Sequence, residues 1–200
     1  MKGEVLPKVK YLCIDPSGTG TTGIFFFSNN KPKSLFFEYQ SKKWEEHLNF
    51  IVDLVKERKP EIIIYENTTY IYGRQHQGTV GLYKLIGGIM ALKYIFDFIQ
   101  KIDSVAVNQV KLFKNKLFSG QEQIESLTCK VGRGKGWKYK QKKISLHQLD
   151  ALVVYHLWSG GSLESQKILK KKIAKLKAKK RLGIRQKEQL QKLEGFSKKN

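Results

Sequence analysis

The chain is poor in the residues that staple or stiffen a fold. Its 200 residues include two cysteines, four prolines and two methionines. Cys13 lies in an apolar run and Cys129 in a polar stretch, which argues against a disulfide framework or a cysteine zinc site and makes a reducing compartment the default. Long apolar runs are missing too. No stretch approaches the ~20 residues of a membrane-spanning helix, and MKGEVLPKVK lacks the apolar centre of a signal peptide. The expectation is a cytoplasmic protein without a membrane partner. Acids are the scarcest class relative to their opposites: 17 Asp and Glu stand against 38 Lys and Arg, for a net charge of +21.

That excess is uneven. Residues 165–200 hold 14 Lys and Arg against 2 acids, which leaves 24 against 15 in residues 1–164. The expected division is therefore a domain over 1–164 and a lysine-rich tail over 165–200, helical or disordered. Both parts favour a polyanion, nucleic acid first and an anionic membrane surface second. A general lysine bias is the plainer source of the excess in the first part. A hydrophobic content of 40% suffices for a packed core.

The order of elements points to an α/β layer architecture. KYLCID (10–15), TGIFFFS (22–28) and SLFFEYQ (34–40) read as strands of an antiparallel meander. A helix with Trp44, Leu48, Ile51, Val52 and Val55 at helical spacing follows, stopped by Pro60. EIIIYE (61–66) suits a strand buried on both faces. A nearly all-apolar helix is expected over 81–100, a strand over 104–107, a helix over 108–118, and an irregular basic stretch over 119–144. Ser145 and Gln148 form a capping box that opens the last helix, and Gly160-Gly161 ends it.

Four side chains stand out within this order. Asp15 ends the first strand, Glu66 ends the fourth, and His147 and Asp150 lie three apart near the start of the last helix, hence on one face. Clustered carboxylates resist ionising together unless a cation sits among them. Hard oxygen donors with one imidazole select Mg²⁺ or Mn²⁺, and two such ions about 4 Å apart serve phosphodiester hydrolysis. Each residue also has a plainer reading. Asp15 suits a turn, Glu66 a solvated strand end, and the helix pair a favourable first turn. The sparse turn PSGTGT after Asp15 leaves two options open: backbone amides that cradle a phosphate, or cleared space for a metal and a bulky polyanion.

The segments IDPSGTGTTGI, IIIYEN, GLYKLIGGIMA and SLHQLDALVVYHLW together resemble the RuvC family of Holliday-junction resolvases, among the ribonuclease H-like nucleases, in its divergent phage and mobile-element form. The resemblance runs from residue 9 to residue 160 and is most specific in the His-x-x-Asp of the last helix. It implies a mixed five-stranded sheet flanked by helices, with strands one and four side by side. It implies a homodimeric crossover junction endodeoxyribonuclease acting on four-way or other branched DNA, with two Mg²⁺ or Mn²⁺ ions and no small-molecule cofactor. Asp15 would bridge the ions, Glu66 would ligate the one that positions water, and His147 and Asp150 would complete the set. The long helix would be the dimer interface, with Gly81, Gly87 and Gly88 admitting another backbone, although core burial explains its apolarity equally well.

The chain departs from the family pattern in three places. Its first turn is one residue longer than Asp-Pro-Gly-Ser-x-x-Thr-Gly, and the aromatic expected three residues after the glutamate is Thr69. Tyr70 and Tyr72 are candidates to replace that aromatic, with packing within the loop an equally good reading, and Arg74, Gln75 and His76 stand where they would touch DNA or move a proton. The stretch before the last helix is longer and more basic. There KVGRGKGWKYKQKK offers Arg133, Lys135, Lys138 and Lys140 to phosphates, and Trp137 or Tyr139 to an unpaired base. The tail, with Leu169, Ile173 and Leu176 at helical spacing, suits duplex arms through counterion release.

Three other readings keep part of this pattern. One is a ribonuclease H-like nuclease on other branched or phage DNA. Another is an actin-like phosphotransferase or ATPase, which also needs a second phosphate loop and a duplicated domain; no internal repeat is visible. The third is a DNA-binding module without catalysis.

Overall fold

The computed structural model describes residues 9–29, 33–67, 77–130 and 136–160. Three strands come first: β1 (Lys10–Asp15), β2 (Gly20–Ser28) and β3 (Lys33–Ser41). Helix α1 (Trp44–Arg58), strand β4 (Ile62–Asn67), helix α2 (Gln77–Ile95), strand β5 (Lys101–Ala106) and helix α3 (Val107–Phe118) follow. Short strands β6 (Leu127–Lys130), β7 (Gly136–Tyr139) and β8 (Lys142–Ile144) precede helix α4 (Leu146–Trp158).

The main sheet has the order β3-β2-β1-β4-β5. The first three strands form the antiparallel meander, and β1–β4 and β4–β5 are parallel. This is the mixed five-stranded, helix-flanked sheet expected from the sequence, in the ribonuclease H-like order. Side chains alternate across it. Cys13, Phe25, Ile64 and Val105 face α3, α4 and the small sheet, whereas Leu12, Ile14, Ile24, Ile63 and Tyr65 face α1 and α2. Each fully buried Leu or Ile of these layers contributes about 1.5–3 kcal/mol over its exposed state.

Two expectations are corrected. Helix α2 stops at Ile95, and β5 begins at Lys101 rather than residue 104. Ile99 is buried in the same cluster as the helix, so apolar character continues after the helical hydrogen bonding has ended. The stretch 119–144 also contains a three-stranded sheet, β6-β7-β8. Its register sets Cys129, Trp137 and Ile144 in one row and Thr128, Lys138 and Lys143 in the next. Lys140 and Gln141 join β7 to β8 with φ of +46° and +68°, as in a type I′ hairpin. Neither is the Gly or Asn that normally announces such a turn, so the hairpin had no local signature.

Candidate active site

The carboxylate site begins with strand pairing. Ile14 lies opposite Tyr65 in the parallel β1–β4 ladder, so Asp15, the last residue of β1, and Glu66, the last but one of β4, stand level with each other. Both follow the alternation of Cys13 and Ile64 and therefore turn toward the α3 and α4 layer.

Helix α4 is brought to them by its cap and by a missing side chain. Ser145 Oγ accepts from the Gln148 amide at 3.2 Å, and Gln148 Oε1 accepts from the Ser145 amide at 3.0 Å. The capping box thus sets the first turn as expected. Gly23 of β2 lies directly under that turn. A Cβ there would stand 2.2 Å from the His147 carbonyl oxygen, so only glycine admits α4 at this depth. The half-exposed His147 ring then donates from Nδ1 to Asp15 Oδ2 at 3.0 Å. One turn further along, Asp150 meets α3, where Lys114 Nζ lies 2.6 Å from Oδ1 and 2.8 Å from Oδ2.

The three carboxyls share one electrostatic environment. Burial raises the pKa of Glu66 to about 8, with further upward pressure from Asp15 and Asp150. Asp15 is raised by burial and by Asp150, against the opposing hydrogen bond from His147. Asp150 is raised by burial despite its bond to Lys114. His147 is raised by its hydrogen bond to Asp15, with the nearby charges of Asp15, Asp150 and Glu38 adding to it. Lys111, one turn before Lys114, pulls Glu66 and Asp150 downward. The site therefore collects negative charge that the protein offsets with an imidazole and two ammonium groups.

The turn after Asp15 is held from inside. The Ser17 amide donates to Thr22 Oγ1 at 3.0 Å, and the Thr22 hydroxyl meets His47 Nδ1 at 2.9 Å. His47 Nε2 faces the Ser41 carbonyl at 3.0 Å, so Nε2 carries the proton and Nδ1 accepts from Thr22. Thr22 and His47 are both fully buried. On its outer side the turn rests on α2, where a Cβ on Gly81 would approach the Gly18 carbonyl oxygen to 3.1 Å. The Ser17 amide is already engaged by Thr22 and is not among those that could cradle a phosphate.

The donor set suits a hard divalent cation. Asp15 and Asp150 press the Glu66 carboxyl upward and Asp150 presses on Asp15, so the three gain from an ion that ionises all of them, and an imidazole stands beside Asp15. Among the described residues no three His, Cys, Asp or Glu side chains already form a cage around one point. Asp150 is turned to Lys114 instead, so a shared ion needs that lysine to move aside.

Other expected site residues fare differently. Tyr70, Tyr72, Arg74, Arg133 and Lys135 lie outside the described residues, as does the tail over 165–200. Trp137 is corrected. It is only 6% exposed and packs in the core with Ile144 and Leu149, so it offers no face to a base. Its aromatic surface fills the space under the small sheet, a role that its flanking lysines disguise in the sequence. Tyr139 packs against Phe25 and Phe36. Lys138 is partly exposed and Lys140 exposed, at and just beyond the end of β7. Lys111, Lys114, Gly23, Thr22 and His47 were not singled out from sequence. Only Gly23 carried a signal, as a glycine inside a strand pattern.

These features define a protein with a ribonuclease H-like sheet and a carboxylate cluster on its edge. No protein-family model matches the sequence, and no curated protein is similar to it in sequence. Among solved structures, T. thermophilus RuvC in complex with a Holliday junction substrate is similar over 77% of this chain and 98% of its own, at 14% identity and a TM-score of 0.46. The yeast mitochondrial Holliday junction resolvase Ydc2 matches over 60% of this chain and 67% of its own, at 16% identity and a TM-score of 0.35. YeaZ from Pseudomonas aeruginosa matches over 80% and 97%, at 9% identity and a TM-score of 0.39. Likenesses of this order carry no choice of activity, so the functional reading rests on the site.

Proposed function

We propose that this protein is a metal-dependent endonuclease that resolves four-way or other branched DNA by phosphodiester hydrolysis. The observation that carries the reading is the convergence of Asp15, Glu66 and Asp150, from two strands and a helix, with each pKa raised by burial and Glu66 pushed to about 8. Such a cluster costs stability unless a cation serves it. Asp15, Glu66, His147 and Asp150 would hold Mg²⁺ or Mn²⁺. When bound, a pair of these ions activates water and stabilises the leaving oxygen. The protein's own groups orient the strand: Lys111 and Lys114 take phosphate charge, and His147 holds a proton beside Asp15.

The assembly that fits this reading is a homodimer through α2. Leu85, Ile86, Ile89 and Leu92 face the core, while Val80, Tyr83, Gly87, Met90 and Tyr94 recur at spacings of three and four on the outer face. Met90 is 52% and Tyr94 91% exposed, and Gly87 has nothing within 4 Å of a built Cβ. A second copy of this face is self-complementary in the way a two-fold interface requires. Lys138 and Lys140 are proposed DNA contacts, as are Tyr70, Tyr72, Arg74, Arg133 and Lys135.

The test uses synthetic four-way junctions and linear duplexes of matched sequence, with Mg²⁺, Mn²⁺ or EDTA. Paired cuts at the junction, absent in EDTA and in Asp15→Asn and Asp150→Asn, are expected. Cutting that survives Asp150→Asn would remove the proposed site.

A further inference from the structure

Helix α3 presents a stripe that the carboxylate site alone does not explain. Lys111, Lys114 and Phe118 are spaced three and four apart, hence on one face. At its start, Lys111 and Lys114 act on Glu66 and Asp150. Phe118, the last residue of the helix, stands about 6 Å along the axis from Lys114. Val110, Phe113 and Leu117 of the same helix are buried, but Phe118 is 57% exposed. Its ring meets that of Trp137 at a centroid distance of 5.2 Å and an interplanar angle of 73°. Trp137 is fixed in the core, so Phe118 is braced on one side and open on the other. The neighbouring cross-strand pair Lys138 and Lys143 projects from the other face of the small sheet, away from this brace.

An exposed aromatic with a rigid backing, on the same helix face as Lys111 and Lys114, has the makings of a single-strand binding surface. Cations track the backbone while the ring takes a base. Charge complementarity makes the occupant nucleic acid, and the distance from Lys114 is one that an extended strand covers in one or two nucleotides. We propose that Phe118 is a stacking platform for an unpaired base close to the phosphate held at the carboxylate site, with Trp137 as its brace and Lys111 on the adjoining phosphate. This rests on the nuclease reading and adds a device that selects strands with an exposed base over closed duplex.

The test is a binding measurement in EDTA, independent of cutting. Junctions and single strands carry 2-aminopurine at successive positions around the branch or along the strand. Wild-type protein is expected to quench the fluorescence at one or two adjacent positions. Phe118→Tyr keeps that quenching, whereas Phe118→Ala and Phe118→Leu lose it and bind single strands about tenfold more weakly. Linear duplex binding and the melting temperature of Phe118→Ala stay near wild type. Quenching unchanged in Phe118→Ala overturns the proposal, as does an equal loss of affinity for linear duplex. If Phe118-dependent quenching is present but no DNA is cut with Mg²⁺ or Mn²⁺, the nuclease reading falls and the platform stands.

Discussion

The ammonium group of Lys114 contacts both carboxylate oxygens of Asp150, at 2.6 and 2.8 Å, and closes the acidic cluster from the α3 side. Neither side chain is much exposed, at 22% and 15%. The pair is therefore shielded from solvent more than a surface salt bridge, and its loss leaves Asp150 beside Asp15 and Glu66 with little to offset it.

Lys114→Ala is expected to lower unfolding stability in EDTA by about 2 kcal/mol, the scale of a charged hydrogen bond whose partner stays behind. Mn²⁺ should return most of that loss, because a cation then takes over the neutralisation. Denaturant melts with and without metal read both numbers. Equal stability of variant and wild type in EDTA would show that the pair is ornamental.

The Glu66 carboxyl keeps its proton up to about pH 8, against about 4.3 in an unfolded chain. Between those values the folded state binds the extra proton, so stability is full below the unfolded pKa and declines as pH rises through the folded one. Without metal, the melting temperature should fall between pH 5 and pH 8 and flatten in Glu66→Gln. At pH 8 that variant should melt higher than wild type, and at pH 4 the difference should vanish or reverse. A metal-free protein whose melting temperature rises over this interval contradicts the buried, protonated carboxyl.

Thr22 joins the Ser17 amide to His47 beneath the turn that follows Asp15. Thr22→Val keeps the shape but strands the part-buried Ser17 amide and the buried Nδ1 of His47, at a cost of about 2 kcal/mol. Thr22→Ser, which restores the hydroxyl, should recover stability and cleavage together. If the serine variant fails as badly as valine, packing of the methyl group rather than the hydrogen-bond chain holds the turn.

The outer face of α2 predicts an oligomeric state. Light scattering should find a dimer for the wild type, and a monomer for Met90→Glu with Tyr94→Glu, at nearly unchanged melting temperature because both side chains are exposed. A wild-type monomer at micromolar concentration would leave that apolar stripe without its proposed partner.

Deleting residues 165–200 removes 14 cations and 2 acids. Affinity for DNA should drop and the slope of log affinity against log salt should shrink, while cleavage persists. An identical slope in the truncated protein would mean that the tail releases no counterions.

Much of the architecture was legible along the chain. Strand β1 and the end of β4 announced themselves by apolar runs closing on a carboxylate, and α4 by its Ser145–Gln148 cap. Local hydrogen bonding and side-chain periodicity suffice for such features. The hairpin at Lys140-Gln141 was hidden, because its positive φ values fall on residues that carry no turn signature. Trp137 looked like a base-stacking residue among lysines, but β7 turns it inward in register with Ile144.

From its own order of residues the protein obtained its α/β character, the placement of Asp15, Glu66, His147 and Asp150 at element ends, and its surplus of positive charge. Folding added what depends on contacts between distant segments: Lys114 on Asp150, the Thr22–His47 chain under the turn, and Gly23 beneath the carbonyl of His147. The reason is physical. Periodicity and capping act over a few neighbouring residues, whereas burial and charge coupling arise only when strands and helices far apart in the chain are packed together.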